Sequence, residues 1–237
     1  MGELRIGSVP YLNAKPLIEG LSGVVLDVPS RLTGRFRRGE LDVALLPSYE
    51  AARRADRAFV PGICVGSPGP VDSVLIFSRG PVEESRRVAL DESSLTSSAL
   101  ARILFGERWG RTPEFSHCPP DVDPREADAD AVLLIGDPAM RAPRDGLVVT
   151  DVATAWREWT GLPFPFALWI ASDVETARAA APVLAAAKER GLARRGEIAA
   201  EAAAAMDLPP EFLLRYLTSR ITYDFGEGEA ESLQRYA

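Results

Sequence analysis

The chain has 237 residues, 46% hydrophobic and 26% charged, with a net charge of −7, the balance of a globular protein of one or two domains that can bury a core without staples. The acidic balance disfavours a nucleic-acid partner, because phosphate binding draws on surplus positive charge. A single histidine, His117, excludes any site that needs two, and Cys64 and Cys118 lack metal-ligand spacing and fit a reducing cytosol or inert thiols.

No basic stretch followed by an apolar run opens the chain, and no run of about 18 apolar residues occurs, so no secretory signal and no membrane span are expected and the expected location is cytoplasmic. An anionic ligand would gain nothing from the overall field. Any anion site has to be local: helix N-termini, backbone amides or one placed cation.

Taken in order, Leu4 and Ile6 alternate with polar residues as a first strand. The strand runs into a turn-prone loop between Pro10 and Pro16 that presents Tyr11, Asn13 and Lys15, with Ser8 just before it. Loops at strand ends are where binding groups collect, although two prolines also bound ordinary turns, in which Asn13 would be only a turn residue. Val24–Val28 reads as a strand, Arg31–Arg38 as a basic helix ended by Gly39, and Leu41–Leu46 as a buried apolar strand. A helix follows with Ser48 as its expected N-cap. Strands are expected at Val60–Val65 and Val71–Ser78, with a hinge at Gly80 and Pro81.

Arg87–Leu90 begins a second set of strands. The hydroxyl-rich run Ser93, Ser94, Thr96, Ser97 and Ser98 opens a helix that reaches Arg108. One hydroxyl suffices as a cap; the others can donate to an anion held over the free N–H groups, or form a solvated turn. Phe115–Cys118 is a short strand, 119–130 a Pro-rich loop, and Ala131–Ile135 a buried strand ending in Gly136-Asp137-Pro138. Leu147–Val149 closes this set, and Asp151–Thr160 is a helix carrying Trp156 and Trp159. In T-G-L-P-F-P-F-A-L-W-I, at 160–170, Pro163 and Pro165 delay a central strand until Ala167, with Phe164 and Phe166 lining a cleft. Helices then follow: Ser172–Gly191 with a Ser172/Glu175 capping box and a break or kink at Pro182, then Gly196–Met206, Glu211–Ser219 and Glu229–Tyr236.

The alternation of strand and helix argues for α/β architecture with parallel strands. Two lobes are expected, with crossings near residues 78 and 167: lobe one from 1–78 and 168–237, lobe two from 79–167. The run R-L-T-G-R-F-R-R-G-E-L-D-V-A-L-L-P resembles the second βαβ unit of type II periplasmic-binding-protein folds, which implies that fold class with a ligand cleft between the lobes.

The opening stretch I-G-S-V-P-Y-L-N-A-K-P-L resembles the N-terminal signature of the chorismate dehydratases of the futalosine route to menaquinone. L-P-S-Y-E at 46–50, D-S-V-L-I-F-S at 72–78, S-S-L-T-S-S-A-L at 93–100, I-G-D-P-A at 135–139, W-x-x-W-T-G-L-P-F at 156–164 and Y-D-F-G-E at 223–227 extend the resemblance, in order, across most of the chain. Pro138 departs from the acidic or polar residue that family members often carry there, which weighs against a catalytic role for Asp137.

The resemblance implies a cofactor-free lyase that takes chorismate to 3-[(1-carboxyvinyl)oxy]benzoate and water. It implies Asn13 and Ser73 as the catalytic candidates. Ser8, Tyr11, Ser48, Thr96, Ser97, Ser98, Gly136, Asp137 and Phe164 are the candidates for holding the substrate. No metal, nucleic acid or membrane partner is implied, and the oligomeric state stays open. Two other classes compete: a solute-binding or sensing protein for a small acid, and the sister dihydroxynaphthoate synthase, whose C-P-N-D-like opening is absent here.

Overall fold

The computed structural model describes residues 4–53 and 58–237. Its strands, in chain order, are β1 (Ile6–Ser8), β2 (Val25–Leu26), β3 (Val43–Pro47), β4 (Phe59–Ser67), β5 (Val74–Ser78), β6 (Arg87–Asp91), β7 (Glu114–Cys118), β8 (Ala131–Ile135), β9 (Val148–Asp151) and β10 (Phe164–Ala171). The helices are α1 (Pro29–Arg37), α2 (Ser48–Ala52), α3 (Leu95–Ile103), α4 (Gly136–Arg141), α5 (Val152–Thr160), α6 (Val174–Ala193), α7 (Arg195–Met206), α8 (Pro210–Arg215) and α9 (Glu227–Tyr236).

Two five-stranded sheets result, in the orders β2-β1-β3-β10-β4 and β7-β6-β8-β5-β9. β1 pairs in parallel with β2 and β3, whereas β10 runs antiparallel to both β3 and β4. In the second sheet β6 is parallel to β7 and β8, and β5 is antiparallel to β8 and β9. Both sheets are thus mixed, where a parallel arrangement was expected. The cause is the chain's return: a strand that re-enters a sheet from the other lobe runs against its neighbours. The inner strands β3, β5 and β8 are buried at every position, which is why they read as unbroken apolar runs.

Pairing assigns both connecting strands to the sheet they enter. Val74–Ser78 has partners on both sides in the second sheet, and Ala167–Ala171 has them in the first. The chain therefore changes sheets ahead of each strand, rather than at the boundaries expected after residues 78 and 167. The first crossing is latched. Asp151 caps α5 with Oδ1, accepting from the Ala153 and Thr154 N–H groups at 3.0 Å. Its Oδ2 accepts from the N–H groups of Val71 and Asp72, both at 2.8 Å.

β10 starts at Phe164 and includes Pro165, but it becomes a central strand only from Ala167, as the two prolines led one to expect. Pro165 lies opposite Gly66 of β4, and β3 joins the other side only from Ala167 onward. The missing N–H therefore falls where β10 has a single neighbour, and a register shift follows at once. At α6 the cap is Asp173, which accepts from the Thr176 N–H at 2.8 Å, in place of the expected Ser172/Glu175 box. Ser172 is held one residue too early, its N–H bonded to the Asp42 carbonyl as an extension of the sheet. α6 runs from Val174 to Ala193 with Pro182 inside it.

The largest fully buried side chains include Trp156, Trp169, Tyr216 and Phe164. Trp156 donates its indole N–H to Ser232 Oγ at 2.9 Å, so the last helix is tied to α5. Phe164 meets Trp156, Phe166 and Tyr236 edge to face, with ring centroids 4.8–5.3 Å apart.

Candidate active site

The cleft between the sheets encloses roughly 600 Å³, open mouth included. Strand ends and the loops beyond them form its walls, as in other open α/β sheets. Leu45, Pro47, Val65, Phe166 and Ala167 come from the first sheet, and Val74, Ile135 and Gly136 from the second sheet and its following turn. Among the described residues no charged side chain lines it, and its polar groups are hydroxyls, a phenol and one amide.

Asn13 stands on a 3₁₀ turn, Leu12–Leu17, that directly follows β1. Leu12, Ala14, Pro16 and Leu17 are buried, so the apolar side of the turn anchors it while Asn13 lines the cleft. Ser73 lines the same cleft from the crossing before β5. One side chain joins the two: Tyr216, on a π-helical turn (Tyr216–Arg220) continuing α8. Asn13 Nδ2 donates to the Tyr216 hydroxyl at 3.1 Å, and that hydroxyl donates to Ser73 Oγ at 2.8 Å. Tyr216 is fully buried, and the burial pushes its phenol well above the ordinary range. Nothing local in the sequence singles out Tyr216, because its partners lie 203 and 143 positions away.

Tyr11 lines the cleft beside Gly136, which has φ +65. A methyl at 136 would stand 3.0 Å from the Tyr11 ring, so glycine here answers both the backbone and the close approach. The Gly136 N–H donates to the Ser73 carbonyl at 2.7 Å, joining the I-G-D turn to the catalytic candidate's own backbone. Burial pushes the Tyr11 phenol up to about 12 against the opposing effect of its bond with Ser93.

The hydroxyl-rich turn divides its tasks. Ser94 caps α3, accepting from the Ser97 N–H at 3.2 Å. Thr96 and Ser97 line the cleft. Thr96 Oγ1 accepts from the Tyr49 N–H at 3.1 Å, which leaves its own proton to donate. Ser98 turns away and donates to the Asp91 carbonyl at 3.5 Å. Asp91, to which the sequence assigned no role, is wholly buried. Its carboxylate gathers the Ser93 N–H and hydroxyl and the Ile135 N–H, fixing the loop that carries Ser94 to Ser97.

Besides Ser98, four expected substrate contacts fall elsewhere. Ser8 is buried within β1, its hydroxyl directed at the Val9 carbonyl at 3.4 Å. Ser48 neither caps α2 nor lines the cleft. β3 continues through Pro47, so the helix starts on Ser48 itself and its hydroxyl is buried without a partner among the described residues. Phe164 lies behind the wall in its aromatic cluster, so of the two phenylalanines expected at the cleft only Phe166 lines it. Asp137 Oδ1 accepts from the Leu12 N–H at 3.1 Å, clasping the opening turn to the second lobe. Lys15 is exposed and away from the cleft walls.

A model of the menaquinone biosynthesis family matches residues 4–237. The chain belongs to that family. It is 31% identical to the chorismate dehydratase of Thermus thermophilus, covering 98% of this chain and 93% of that one. Identity to the chorismate dehydratase of Campylobacter jejuni is also 31%, over 66% of this chain and 58% of that one. Among solved structures, protein AF1704 of Archaeoglobus fulgidus superposes with a TM-score of 0.77 at 17% identity, covering 98% of this chain and 94% of that one. The periplasmic aliphatic sulphonate binding protein SsuA of Escherichia coli gives 0.64 at 18%, with 98% and 89% covered. The Candida albicans CA3427 product, described as having the generic periplasmic binding protein fold, gives 0.60 at 11%, with 100% and 89% covered. This member of the menaquinone biosynthesis family thus has a periplasmic-binding-protein-like fold, with its cleft between the two sheets.

Among the family member's described residues, no group of three or more His, Cys, Asp or Glu side chains is placed to hold a metal ion, and no helix is long and apolar enough to cross a membrane. Burial pushes the Cys118 thiol up to about 12, and Cys64 is raised further for the same reason.

The Asp137 clasp has a pH signature. Burial raises its carboxyl, outweighing the Leu12 N–H and the charges of Lys15 and Arg141, which lower it. For a raised acid, the stabilising contribution is complete below the unfolded value of about 3.9 and is lost as pH rises through the folded value. Asp137→Asn keeps the acceptor oxygen and does not titrate. It should therefore gain on the parent protein as pH is raised from about 3.5 to 7. Urea unfolding of both proteins across that range checks this, and a constant difference would show that the Asp137 carboxyl is not raised by folding.

Proposed function

We propose that this family member is a chorismate dehydratase: a cytoplasmic hydro-lyase that converts chorismate to 3-[(1-carboxyvinyl)oxy]benzoate and water in the futalosine route. The observation that carries the reading is the meeting of Asn13 and Ser73, through one buried phenol, at the wall of a mainly apolar, uncharged cleft. Apolar walls suit an unsaturated carbocycle, and uncharged donors suit carboxylates that must be held without a cation.

In the proposed reaction the ring C–O bond to the hydroxyl breaks, and a proton leaves the carbon bearing the enolpyruvyl ether. The C–H electron pair becomes the third ring double bond, and the departing oxygen takes up a proton as water. Asn13 is an amide and too weak a base to remove the proton. It orients the substrate, whose own enolpyruvyl carboxylate takes the proton; a fixed carboxylate held against that hydrogen exploits proximity. Ser73 donates to the leaving hydroxyl or to a carboxylate, while Thr96 and Ser97 at the start of α3 hold the substrate from the second lobe. Gripping from both lobes closes the cleft and excludes water from the intermediate.

Purified protein incubated with chorismate alone, without added cofactor or metal, should form the enolpyruvyl benzoate, followed by liquid chromatography with mass detection. Binding without conversion would point to a sensing or solute-binding role. Turnover of a cyclised futalosine derivative instead would point to the sister synthase. Thr96→Ala with Ser97→Ala should lower turnover roughly tenfold to a thousandfold; an unchanged rate would remove the second lobe from the site.

A further inference from the structure

We infer that Tyr216 is a positioning residue that sets the hydrogen-bond polarity of the Asn13–Ser73 pair, making Ser73 an obligate donor and fixing the face of the Asn13 amide. The inference rests on the dehydratase reading for its kinetic consequence, but its geometric part stands alone.

A serine hydroxyl can donate once and accept twice, and an asparagine amide can present either its oxygen or its nitrogen. Neither residue alone has a defined polarity. In this structure the amide nitrogen of Asn13 donates to the phenol, so the phenol's own proton goes to Ser73 Oγ. Ser73 accepts that proton and retains its own, at a position that lines the cleft. The same bond turns the Asn13 carbonyl oxygen away from Tyr216. Serial donation of this kind polarises each following bond.

Three features hold the relay in one state. Tyr216 is sealed from solvent on a π-helical turn, a backbone irregularity often found at functional sites. Its phenol, raised by burial, stays protonated through the neutral range. The Ser73 backbone is pinned by the Gly136 N–H, so the hydroxyl swings only about its own Cα–Cβ bond.

The test combines kinetics of Tyr216→Phe, Ser73→Ala and the double variant with side-chain amide exchange on the ¹⁵N-labelled full chain. Tyr216→Phe should lower kcat roughly tenfold to a hundredfold, the scale of one misdirected donor, with KM changed less than about twofold. It should cost clearly less when Ser73 is already alanine, because only the hold on the Asn13 amide is then left to lose. A folded Tyr216→Phe protein with the parent kcat, or full losses that multiply in the double variant, would overturn the inference. In the parent protein the Asn13 side-chain amide should exchange slowly; exchange at the rate of a free amide would overturn the inference without any reaction being measured. If the parent protein leaves chorismate unchanged, the dehydratase reading fails, and amide protection still decides whether the relay exists.

Discussion

Chorismate turnover by Asn13→Ala is expected to fall by roughly 100- to 1,000-fold, the cost of losing one preorganised polar contact in a water-excluded site. The loss should exceed that of any single hydroxyl in the α3 turn, because Asn13 is also the first member of the chain that ends on Ser73. Alanine removes both the contact to substrate and the donor that orders the phenol. Asn13→Asp discriminates further. It keeps the size of the side chain but cannot donate to Tyr216, and it sets a negative charge beside a substrate that carries two carboxylates. Its turnover should be at least as low as that of the alanine variant, with weaker chorismate binding by calorimetry. Full activity in either variant would end the role proposed for Asn13.

Gly191→Ala is expected to destabilise the protein by roughly 1–3 kcal/mol, toward the upper end. Helix propensity alone predicts the reverse, a gain of about 1 kcal/mol for Gly to Ala within a helix. Contact decides the sign. A methyl on residue 191 of α6 would overlap the carbonyl oxygen and Cα of Pro16, which are backbone atoms of the 3₁₀ turn carrying Asn13. Rotamer changes cannot relieve a clash with backbone, so either α6 or the opening turn must shift. The melting temperature should drop by roughly 3–10 °C, at about 2–4 °C per kcal/mol for a chain of this size. Turnover should fall with it, since the turn displaced is the one that presents Asn13. Gly196→Ala is the control: nothing lies within 4 Å of a methyl there, and its stability should be unchanged or slightly raised. Equal behaviour of the two variants would show that the approach of α6 to the opening turn is loose.

Both predictions turn on contacts between segments far apart in the chain, and this divides what could be read in advance from what could not. The inner strands were legible because each is buried on both faces, so Ala131–Ile135 and Val43–Leu46 carry unbroken apolar runs. Asn13, Ser73, Thr96, Ser97 and Gly136 were legible as a set through motif resemblance, and the fold places all five on one cleft. Ser8 and Ser48 were misplaced because hydroxyl-bearing residues at a strand end look alike, whichever way the side chain points. Phe166 reaches the cleft as expected and Phe164 does not, because a register shift falls between Pro165 and Ala167 in β10, which alternation along a strand cannot anticipate.

The sequence by itself determined the two-lobed α/β architecture, the inner strands and the opening turn, because these follow from hydrophobic pattern, proline placement and local motif over short spans. Tertiary structure alone decided that Tyr216 links Asn13 to Ser73, that Asp91 and Asp151 hold loops through buried carboxylates, and that Asp137 clasps the opening turn. Each of these depends on the orientation of a polar side chain toward a partner remote in sequence. Hydrogen bonds require that direction and distance, and residue order does not encode them until the two sheets are packed.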